Sequence, residues 1–374
     1  MERDVKLSRF TRAGSAVAVG ALALTLAACG SDPAAPGAES TGGPAEGSDS
    51  ALSGELSGGG ASSQESAQEA WRAGFQTANP DVTVNYDPVG SGGGRTGFTD
   101  GSYAFAGSDA ALDEEEMTAA EAQCGEGGVI EFPGYVSPIA VAFNLPGVES
   151  LNLKPEVIAN IFSGKITTWN DEAIAADNPD AELPDSAITV VHRSDDSGTT
   201  ENFQAYLHEA APDAWEHEPE GVWPIEGQES AQGTSGVVSA AQSGEGTITY
   251  ADASQISGLG TVAVGVGDEF VPYSAEAAAE VVAQSPRAEG TADGVYSIEL
   301  KRDVAGTYPV VLVSYLLACG TYADQAQADL VKGYMSYLVS EEGQKAAADA
   351  AGSAPLSADI RDAVLPSIEA ITAG

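Results

Sequence analysis

The strongest constraint on the fold is the alternation of strand-like and helix-like segments from about residue 56 to the C-terminus. Short apolar runs are typical of buried strands, and one helical segment places Ala67, Trp71 and Phe75 on a single face. Strands are predicted over 82–86, 103–106, 136–144, 188–192, 247–250, 261–266 and 310–317, and helices over 64–78, 155–162, a segment carrying Phe203, Tyr206 and Leu207, and 323–350. The alternation predicts an α/β protein with mainly parallel sheets covered on both sides by helices.

The length of the chain indicates more than one structural unit. Of the 374 residues, roughly 320 remain after the N-terminal segments described below, which is more than a single compact core usually organises. We therefore expect two lobes. In α/β folds, ligands gather beyond the carboxyl ends of strands, where loops lead into helix N-termini.

The N-terminus has the pattern of an export signal. A basic stretch carrying Arg3 and Lys6 is followed by an apolar run over 16–28, which is too short to span a bilayer as a mature helix. The run ends in Leu26-Ala-Ala-Cys29-Gly30, which resembles a bacterial lipobox. We predict a lipoprotein signal peptide over 1–28 and lipid attachment at Cys29; an ordinary signal peptide with a chance cysteine is the alternative.

The segment over 29–55 is predicted to be a flexible stalk. It consists mostly of Ser, Gly, Ala, Pro and acidic residues, a composition that cannot bury enough apolar surface to become ordered. Beyond it, no apolar stretch is long enough for a membrane span.

Two cysteines remain in the body of the chain, Cys124 and Cys319. In an oxidising compartment such a pair usually forms a disulfide. The sequence leaves open the alternative that each thiol is a small buried side chain.

The chain is strongly acidic, with a formal net charge of −41. Removal of 1–28, which carries four basic and two acidic side chains, brings the charge to −43. Such a surface repels nucleic acid and anionic lipid. Because salt screens surface fields beyond about 8 Å, a pocket rich in hydrogen-bond donors remains able to bind an anion.

Three segments share a composition suited to anion binding: 56–63, 90–96 and 193–200. Each is rich in Gly, Ser or Thr, has a charged residue nearby and is placed by the strand pattern at a strand end. Backbone N–H groups at a helix start, together with hydroxyls and the helix dipole, form a seat for an anion. Any one of these segments also has a structural interpretation, with Asp196 or Ser197 as an ordinary helix N-cap.

Several stretches, which together cover nearly everything from about residue 56 to the C-terminus, resemble one known family. The sequence is similar to the phosphate-binding lipoproteins of bacterial phosphate-specific ABC importers. The matching stretches are Gly58-Gly-Gly-Ala-Ser62, Gly90-Ser-Gly-Gly-Gly94, Phe105-Ala-Gly-Ser-Asp109, Tyr135-Val-Ser-Pro-Ile-Ala-Val-Ala-Phe-Asn144 with Leu145-Pro-Gly147, Ile161-Phe-Ser-Gly-Lys-Ile-Thr-Thr-Trp-Asn170, Arg193-Ser-Asp-Asp-Ser-Gly-Thr199 and Tyr308-Pro309.

The resemblance implies a type II, two-lobed periplasmic-binding-protein-like fold with the ligand in the cleft between the lobes. Lobe I would comprise 56–134 and 303–374, and lobe II 135–302. The implied function is capture of inorganic phosphate on the extracytoplasmic face of the cell membrane and its delivery to an ABC permease and its ATPase. We expect no catalysis, no cofactor, no metal, no nucleic-acid partner, and contact with the membrane through the N-terminal lipid only.

Carried over position by position, the resemblance also implies a set of ligand-binding residues. Asp195 would orient the Arg193 guanidinium. Where the family commonly has threonine followed by Phe-Pro, this chain has Ser62-Ser63-Gln64, so Ser63 is an alternative donor in the first segment. The implied phosphate-binding residues are Ser62, Ser91, Asp109, Arg193, Ser197, Gly198 and Thr199.

Asp109 has a specific physical rationale within such a site. A carboxylate in an anion pocket is costly unless the ligand brings a proton to share. Phosphate carries that proton at neutral pH and sulfate does not, so Asp109 is predicted to discriminate between them. The alternative interpretation of Asp109 is a turn or cap residue after a strand.

Two further residues and an enzymatic function have alternative interpretations. Arg95 is interpreted as a solvated helix residue rather than part of the cleft rim, and His192 as a packed side chain rather than a ligand. A secreted phosphatase using Ser197, His192 and Asp109 is disfavoured, because no Gly-x-Ser-x-Gly elbow occurs. The remaining alternatives are a binding protein for another tetrahedral oxyanion, such as arsenate or sulfate, and a phosphate sensor.

Overall fold

Strands and helices alternate through residues 52–374, the part of the chain that the computed structural model describes. The strands are β1 (Gly54–Gly60), β2 (Val82–Asp87), β3 (Phe105–Ser108), β4 (Val129–Phe143), β5 (Ser150–Leu153), β6 (Thr189–Arg193), β7 (Glu229–Ala231), β8 (Thr247–Asp252), β9 (Gly260–Val266), β10 (Glu269–Val271), β11 (Val311–Cys319), β12 (Thr321–Tyr322) and β13 (Thr372–Ala373). The helices are α1 (Glu65–Ala78), α2 (Ser91–Thr99), α3 (Glu114–Cys124), α4 (Pro155–Phe162), α5 (Glu172–Asp177), α6 (Gly198–Ala210), α7 (Gly233–Ser243), α8 (Ala275–Gln284), α9 (Gln325–Val339), α10 (Glu341–Ala351) and α11 (Ala358–Glu369), with 3₁₀ turns at Ser62–Gln64 and Gly125–Gly127.

Within these described residues, eleven strands form one sheet whose centre is antiparallel. The main path runs β2-β1-β3-β11-β4-β8-β6-β7, and β5, β9 and β10 extend it beside β4. β11 pairs antiparallel with β3 and β4, and β4 pairs antiparallel with β8. On the flanks, β1 pairs in parallel with β2 and β3, and β6 with β7 and β8. The prediction of mainly parallel sheets is therefore right for the flanks and wrong for the centre.

The two central strands show why the sequence did not reveal their direction. β4 and β11 are buried at every position, and strands covered on both faces have continuous apolar sequences rather than alternating ones. Such a run looks the same in a parallel and an antiparallel sheet. β4 also begins at Val129, well before the predicted start at residue 136. The prediction started too late because Pro133 and Gly134 interrupt the apolar pattern.

The first glycine-rich segment is a strand rather than a loop. Most of the segment predicted as a loop over 56–63 pairs in register with β2 and β3, and the chain turns only at Ala61 into the 3₁₀ turn. Gly60 has a φ angle of +138°, and a β-carbon there would lie 2.0 Å from the carbonyl oxygen of Gly107. The glycine is required by the close approach of two strands, a condition that local sequence does not distinguish from a flexible turn.

The helices are predicted more accurately than the sheet. α4 has the predicted bounds, with Pro155 in its first turn. α1 follows the 3₁₀ turn and buries the predicted apolar face, including Trp71 and Phe75. The sequence indicates a helix at Arg95 but gives no bounds for α2, because Gly92, Gly93 and Gly94 in its first turn disfavour a helix.

The two cysteines of the body form the expected disulfide. Cys124 ends α3 and Cys319 ends β11, and the two half-cystines are 195 residues apart in the sequence. The bond therefore ties an early helix to the last long strand.

The N-terminal predictions concern residues that mostly precede the described part. The predicted signal peptide, Cys29 and most of the predicted stalk lie outside residues 52–374, whereas Gly54 and Glu55 already belong to β1. None of the described helices has both the length and the apolar character needed to cross a membrane.

A buried carboxyl on β4 makes the stability of the fold depend on pH. Burial raises the pKa of Glu131 from 4.5 to about 7, although hydrogen bonds from the Leu112 backbone N–H and from Ser297 Oγ partly oppose the shift. Between these two pKa values the folded state binds more protons than the unfolded state. The unfolding free energy therefore falls as the pH rises from about 4.5 to about 7.

We expect Glu131→Gln to remove this contribution, which amounts to at most about 3 kcal/mol. Urea denaturation at pH 5 and pH 8 should show a smaller stability difference for Glu131→Gln than for the unmodified protein. Glu121→Gln, which changes an exposed glutamate, is the matched control. An unchanged pH difference in Glu131→Gln would contradict the assignment.

Candidate functional site

Three helix N-termini, which follow β2, β6 and β7, meet at this site. Ser91 begins α2, Gly198 begins α6 and Gly233 begins α7. The backbone N–H of Gly92 donates to the carbonyl oxygen of Asp196 at 3.2 Å, which links the start of α2 to the start of α6. The second and third predicted segments are therefore brought together, each with its N–H groups at a helix start.

Asp109 accepts three hydrogen bonds through its side chain. It directly follows β3 and is only 3% exposed. Ser63 Oγ and Ser314 Oγ donate to Asp109 Oδ1 at 2.6 and 2.5 Å, and Thr199 Oγ1 donates to Oδ2 at 2.8 Å. Its backbone N–H donates to Ser91 Oγ at 3.1 Å. Three hydroxyl donors thus stabilise a carboxylate that has almost no contact with solvent.

Arg193 ends β6 and supplies a buried positive charge. Its side chain is 2% exposed and forms a two-pronged ion pair with Asp195, with Nε donating to Oδ1 at 2.9 Å and Nη2 donating to Oδ2. Asp195 Oδ1 also accepts the backbone N–H of Gly233, at 3.0 Å. Asp195 therefore fixes the plane of the guanidinium and ties it to the start of α7.

The start of α6 supplies three of the predicted residues. Ser197 is the N-cap, and its Oγ accepts the backbone N–H of Thr200 at 3.2 Å. A β-carbon on Gly198 would lie 2.7 Å from the β-carbon of Asp109, so any side chain at this position would push Asp109 away from the helix. Thr199 comes next and reaches the Asp109 carboxylate.

The two serines after β1 make different contacts. Ser62 Oγ accepts the backbone N–H of Thr234 at 3.0 Å and lies 3.0 Å from Thr234 Oγ1, whereas Ser63 Oγ donates to Asp109. Both hydroxyls are buried within the cluster, and each faces a different part of it. The choice between them as donor in the first segment thus stays a prediction.

Arg95 differs from its interpretation as a solvated residue. It lies on α2, as expected of a helix residue, but is only 7% exposed. Its Nε donates to Glu116 Oε1 at 2.6 Å, and Nη1 donates to Ser108 Oγ at 3.1 Å. The solvated interpretation was wrong, because α3 places a carboxylate directly against α2 and the sequence does not reveal that contact.

His192 is packed against an aromatic side chain, as predicted. Its ring stacks on Trp223 with centroids 5.4 Å apart, and Nδ1 lies 2.8 Å from the carbonyl oxygen of Arg193. Burial lowers the pKa of His192. The His192 imidazole therefore contacts Trp223 and the Arg193 backbone rather than the hydroxyls around Asp109.

Sequence reasoning missed three residues of the cluster. Ser314 is the one serine or threonine within the apolar run of β11, and this polar interruption was a usable signal. Thr234 belongs to Gly233-Thr-Ser-Gly236, a fourth segment that is rich in Gly, Ser and Thr like the three predicted ones. Asn202 donates from Nδ2 to the backbone oxygens of Asp109 (2.7 Å) and Gly198 (2.9 Å), and nothing in its local sequence marks it.

A neighbouring cavity is less suited to an anion than the cluster itself. It has a volume of about 680 Å³, adjoins Asp109 and is lined by Glu201, Glu209 and Arg302 among others, but not by Arg193. Burial raises the pKa of Glu201 to about 7. The charged residues of its lining are mostly acidic, which disfavours an anion. The cluster instead combines helix N-termini, hydroxyls and a guanidinium, all of which donate hydrogen bonds.

The arrangement of donors and acceptor suits a tetrahedral oxyanion that carries a proton. The donors suit several oxygens at once, and the Asp109 carboxylate suits an O–H group. Within the described residues, no group of three or more His, Cys, Asp or Glu side chains is arranged to hold a metal ion.

Comparisons with known proteins agree with this class of site. A family model for a PBP superfamily domain matches residues 39–342. The phosphate-binding protein PstS 3 of Mycobacterium tuberculosis (strain ATCC 25618 / H37Rv) is 34% identical over 343 residues, covering 90% of this chain and 92% of that protein. PstS 2 of the same strain is 31% identical over 375 residues, covering 97% and 100%.

A solved structure supports the fold independently. The high affinity periplasmic phosphate-binding protein PfluDING, bound with phosphate, superposes with a TM-score of 0.69 at 23% identity, covering 83% of this chain and 93% of that one. The fold is thus that of the PBP superfamily domains. The chain belongs to the PstS family of phosphate-binding proteins.

Proposed function

We propose that this chain captures inorganic phosphate on the extracytoplasmic side of the cell and delivers it to an ABC permease and its ATPase. The observation that carries the proposal is a buried carboxylate, Asp109, held by three hydroxyl donors in the same cluster of helix N-termini as the buried Arg193. A proton-bearing oxyanion satisfies both groups. Phosphate is proposed as that oxyanion because the PstS relatives are named phosphate-binding proteins.

The proposed binding set spans both predicted lobes. Lobe I, over 56–134 and 303–374, supplies Ser62, Ser91 and Asp109, and lobe II, over 135–302, supplies Arg193, Ser197, Gly198 and Thr199. Hydrogen bonds already cross between the two predicted lobes, from Thr199 to Asp109 and between Thr234 and Ser62. Phosphate that contacts both sets would favour the closed arrangement, because only closure satisfies all donors.

Isothermal titration of the purified chain with phosphate, arsenate and sulfate tests the proposal. We expect tight binding of phosphate, binding of arsenate because it is also protonated and tetrahedral, and rejection of sulfate. Absence of phosphate binding at millimolar concentration would refute the proposed function.

Asp109→Asn is expected to lower the ratio of phosphate to sulfate affinity at least tenfold. In the unmodified protein a sulfate oxygen would face Asp109 with no hydrogen between them, and such an uncompensated buried charge costs several kcal/mol. The asparagine amide can donate to sulfate instead. Titration with both anions measures the ratio, and the exposed Asp81→Asn serves as control. An unchanged ratio would remove this role from Asp109.

The proposal requires no catalysis. The relatives are named as binding proteins, and the His192 ring is stacked on Trp223. A phosphatase assay with a chromogenic phosphomonoester should show no turnover above buffer.

We further propose that the mature chain is anchored to the outer face of the cell membrane by lipid on Cys29, after removal of 1–28. The support is the lipobox-like sequence. Metabolic labelling with an alkynyl palmitate should mark the unmodified chain and not Cys29→Ala; equal labelling would contradict the anchor.

A further inference from the structure

A buried chain of hydrogen bonds leads from α9 through α1 to Asp109. Tyr334 Oη donates to Gln68 Oε1 at 2.8 Å, and Gln68 Nε2 donates to Gln64 Oε1 at 2.9 Å. Gln64 Nε2 donates to Ser314 Oγ at 2.6 Å, and Ser314 Oγ donates to Asp109 Oδ1. The first four of these side chains are 0% exposed and Asp109 is 3% exposed, so no solvent competes for the bonds.

The carboxylate sets the direction of every bond in this chain. An ionised carboxylate only accepts, so the Ser314 hydrogen points to Asp109 and the Ser314 oxygen is left to accept from an N–H group. Gln64 therefore presents its nitrogen to Ser314 and its oxygen to Gln68. The same reasoning turns the Gln68 oxygen toward Tyr334, whose hydroxyl supplies the terminal hydrogen.

The chain also decides which oxygen of Asp109 is free for a ligand. Oδ1 accepts from both Ser314 and Ser63, which uses its two lone-pair positions. Among the donors of the described chain, Oδ2 accepts only from Thr199 and keeps one position for another hydrogen. Thr199 lies in the first turn of α6, so Oδ2 is the Asp109 oxygen that is bonded to the helix start of the proposed anion site.

The surrounding backbone leaves room for this chain of hydrogen bonds. A β-carbon on Gly107 would lie 2.8 Å from both Nε2 and Oε1 of Gln64. The pairing of β11 with β4 shifts register between Ser314 and Tyr315, and such irregularities redirect side chains in strands. Both features place polar side chains in a part of the sheet that is otherwise apolar.

We propose that Tyr334, Gln68, Gln64 and Ser314 are positioning residues for phosphate selectivity: they hold Asp109 so that Oδ2 alone receives the ligand's proton. The inference rests on the proposed function of the site. It gives Ser63 and Gln64, which replace the Phe-Pro common in the family, a direct role in orienting the carboxylate.

Gln64→Met keeps the length of the side chain and removes its donor. We expect the ratio of phosphate to sulfate affinity to fall about tenfold, since a bond to a charged acceptor is no longer supported. Ser314→Ala should lose discrimination similarly, and Ser314→Thr, which keeps the hydroxyl, should retain it. Tyr334→Phe should give a smaller loss in the same direction and is the milder variant if Gln64→Met folds poorly.

A double-mutant cycle separates positioning from packing. In an Asp109→Asn background, Gln64→Met should no longer change the ratio, because the acceptor that orders the chain is gone. Tyr337→Phe, on the same helix with its ring against Phe75, is the matched control and should leave the ratio unchanged. Isothermal titration gives the affinities, and circular dichroism confirms folding.

The outcomes are distinct. Equal losses for both anions in Gln64→Met and in Tyr334→Phe, or the same loss of discrimination with and without Asp109, would overturn the positioning role. Failure of the unmodified chain to bind phosphate would instead overturn the proposed function.

Discussion

Arg193→Met is expected to weaken phosphate binding by about a hundredfold to ten-thousandfold, because removing one partner of a buried charge pair costs about 3–5 kcal/mol. The Arg193 side chain is 2% exposed and paired with Asp195 at two points. Its loss removes the cation of the site and leaves the Asp195 carboxylate unpaired beside an anionic ligand. Isothermal titration measures the change.

Arg95→Met is the matched control for this experiment. Arg95 is also a buried arginine paired with a carboxylate, Glu116, but it lies on α2 outside the proposed binding set. We expect it to lower stability while changing phosphate affinity far less. Similar losses of affinity in the two variants, or a change below tenfold in Arg193→Met, would contradict the role of Arg193.

Replacing both Cys124 and Cys319 with alanine is expected to lower the unfolding free energy by about 4 kcal/mol. The bond closes a loop of 195 residues, and cross-links over long loops restrict the unfolded chain most. Phosphate affinity should not change, because the bond joins the far ends of α3 and β11 rather than residues of the site. Urea denaturation gives the stability, and titration gives the affinity.

The unmodified protein unfolded in the presence of a reductant provides the control. Once reduced, it should match the double alanine variant in its denaturation midpoint. If the variant and the oxidised protein differ by less than about 1 kcal/mol, the loop-closure argument does not hold for this pair.

Local signals predicted the features that local chemistry determines. The proline at position 155 and the apolar spacing around Trp71 placed α4 and α1 correctly. The family resemblance implied the ion pair between Arg193 and Asp195, which lie two positions apart in the sequence. Each of these depends on residues within a few positions of one another.

Features that depend on distant segments were not predictable in this way. The glycine at position 60 is required by the backbone of β3, and the burial of Arg95 depends on Glu116 from α3. The antiparallel centre of the sheet depends on how the chain returns to β11. The sequence contains these residues, but their contacts are determined by the tertiary arrangement of distant segments.

The candidate site shows the same division. The Gly/Ser/Thr-rich segments indicated an anion seat, and family resemblance supplied the individual residues. Ser314 donates to Asp109, and Gln64 donates to Ser314; the first lies in an apolar strand and the second at a helix start. Neither position carries a local motif for ligand binding.

The direction of β1 separates the entry of the described chain from the candidate site. The chain enters the sheet at Gly54, and the candidate site begins past Gly60, at the other end of a strand about 20 Å long. The lipid anchor proposed at Cys29 would therefore be attached to the body at the end of β1 that lies opposite to the site.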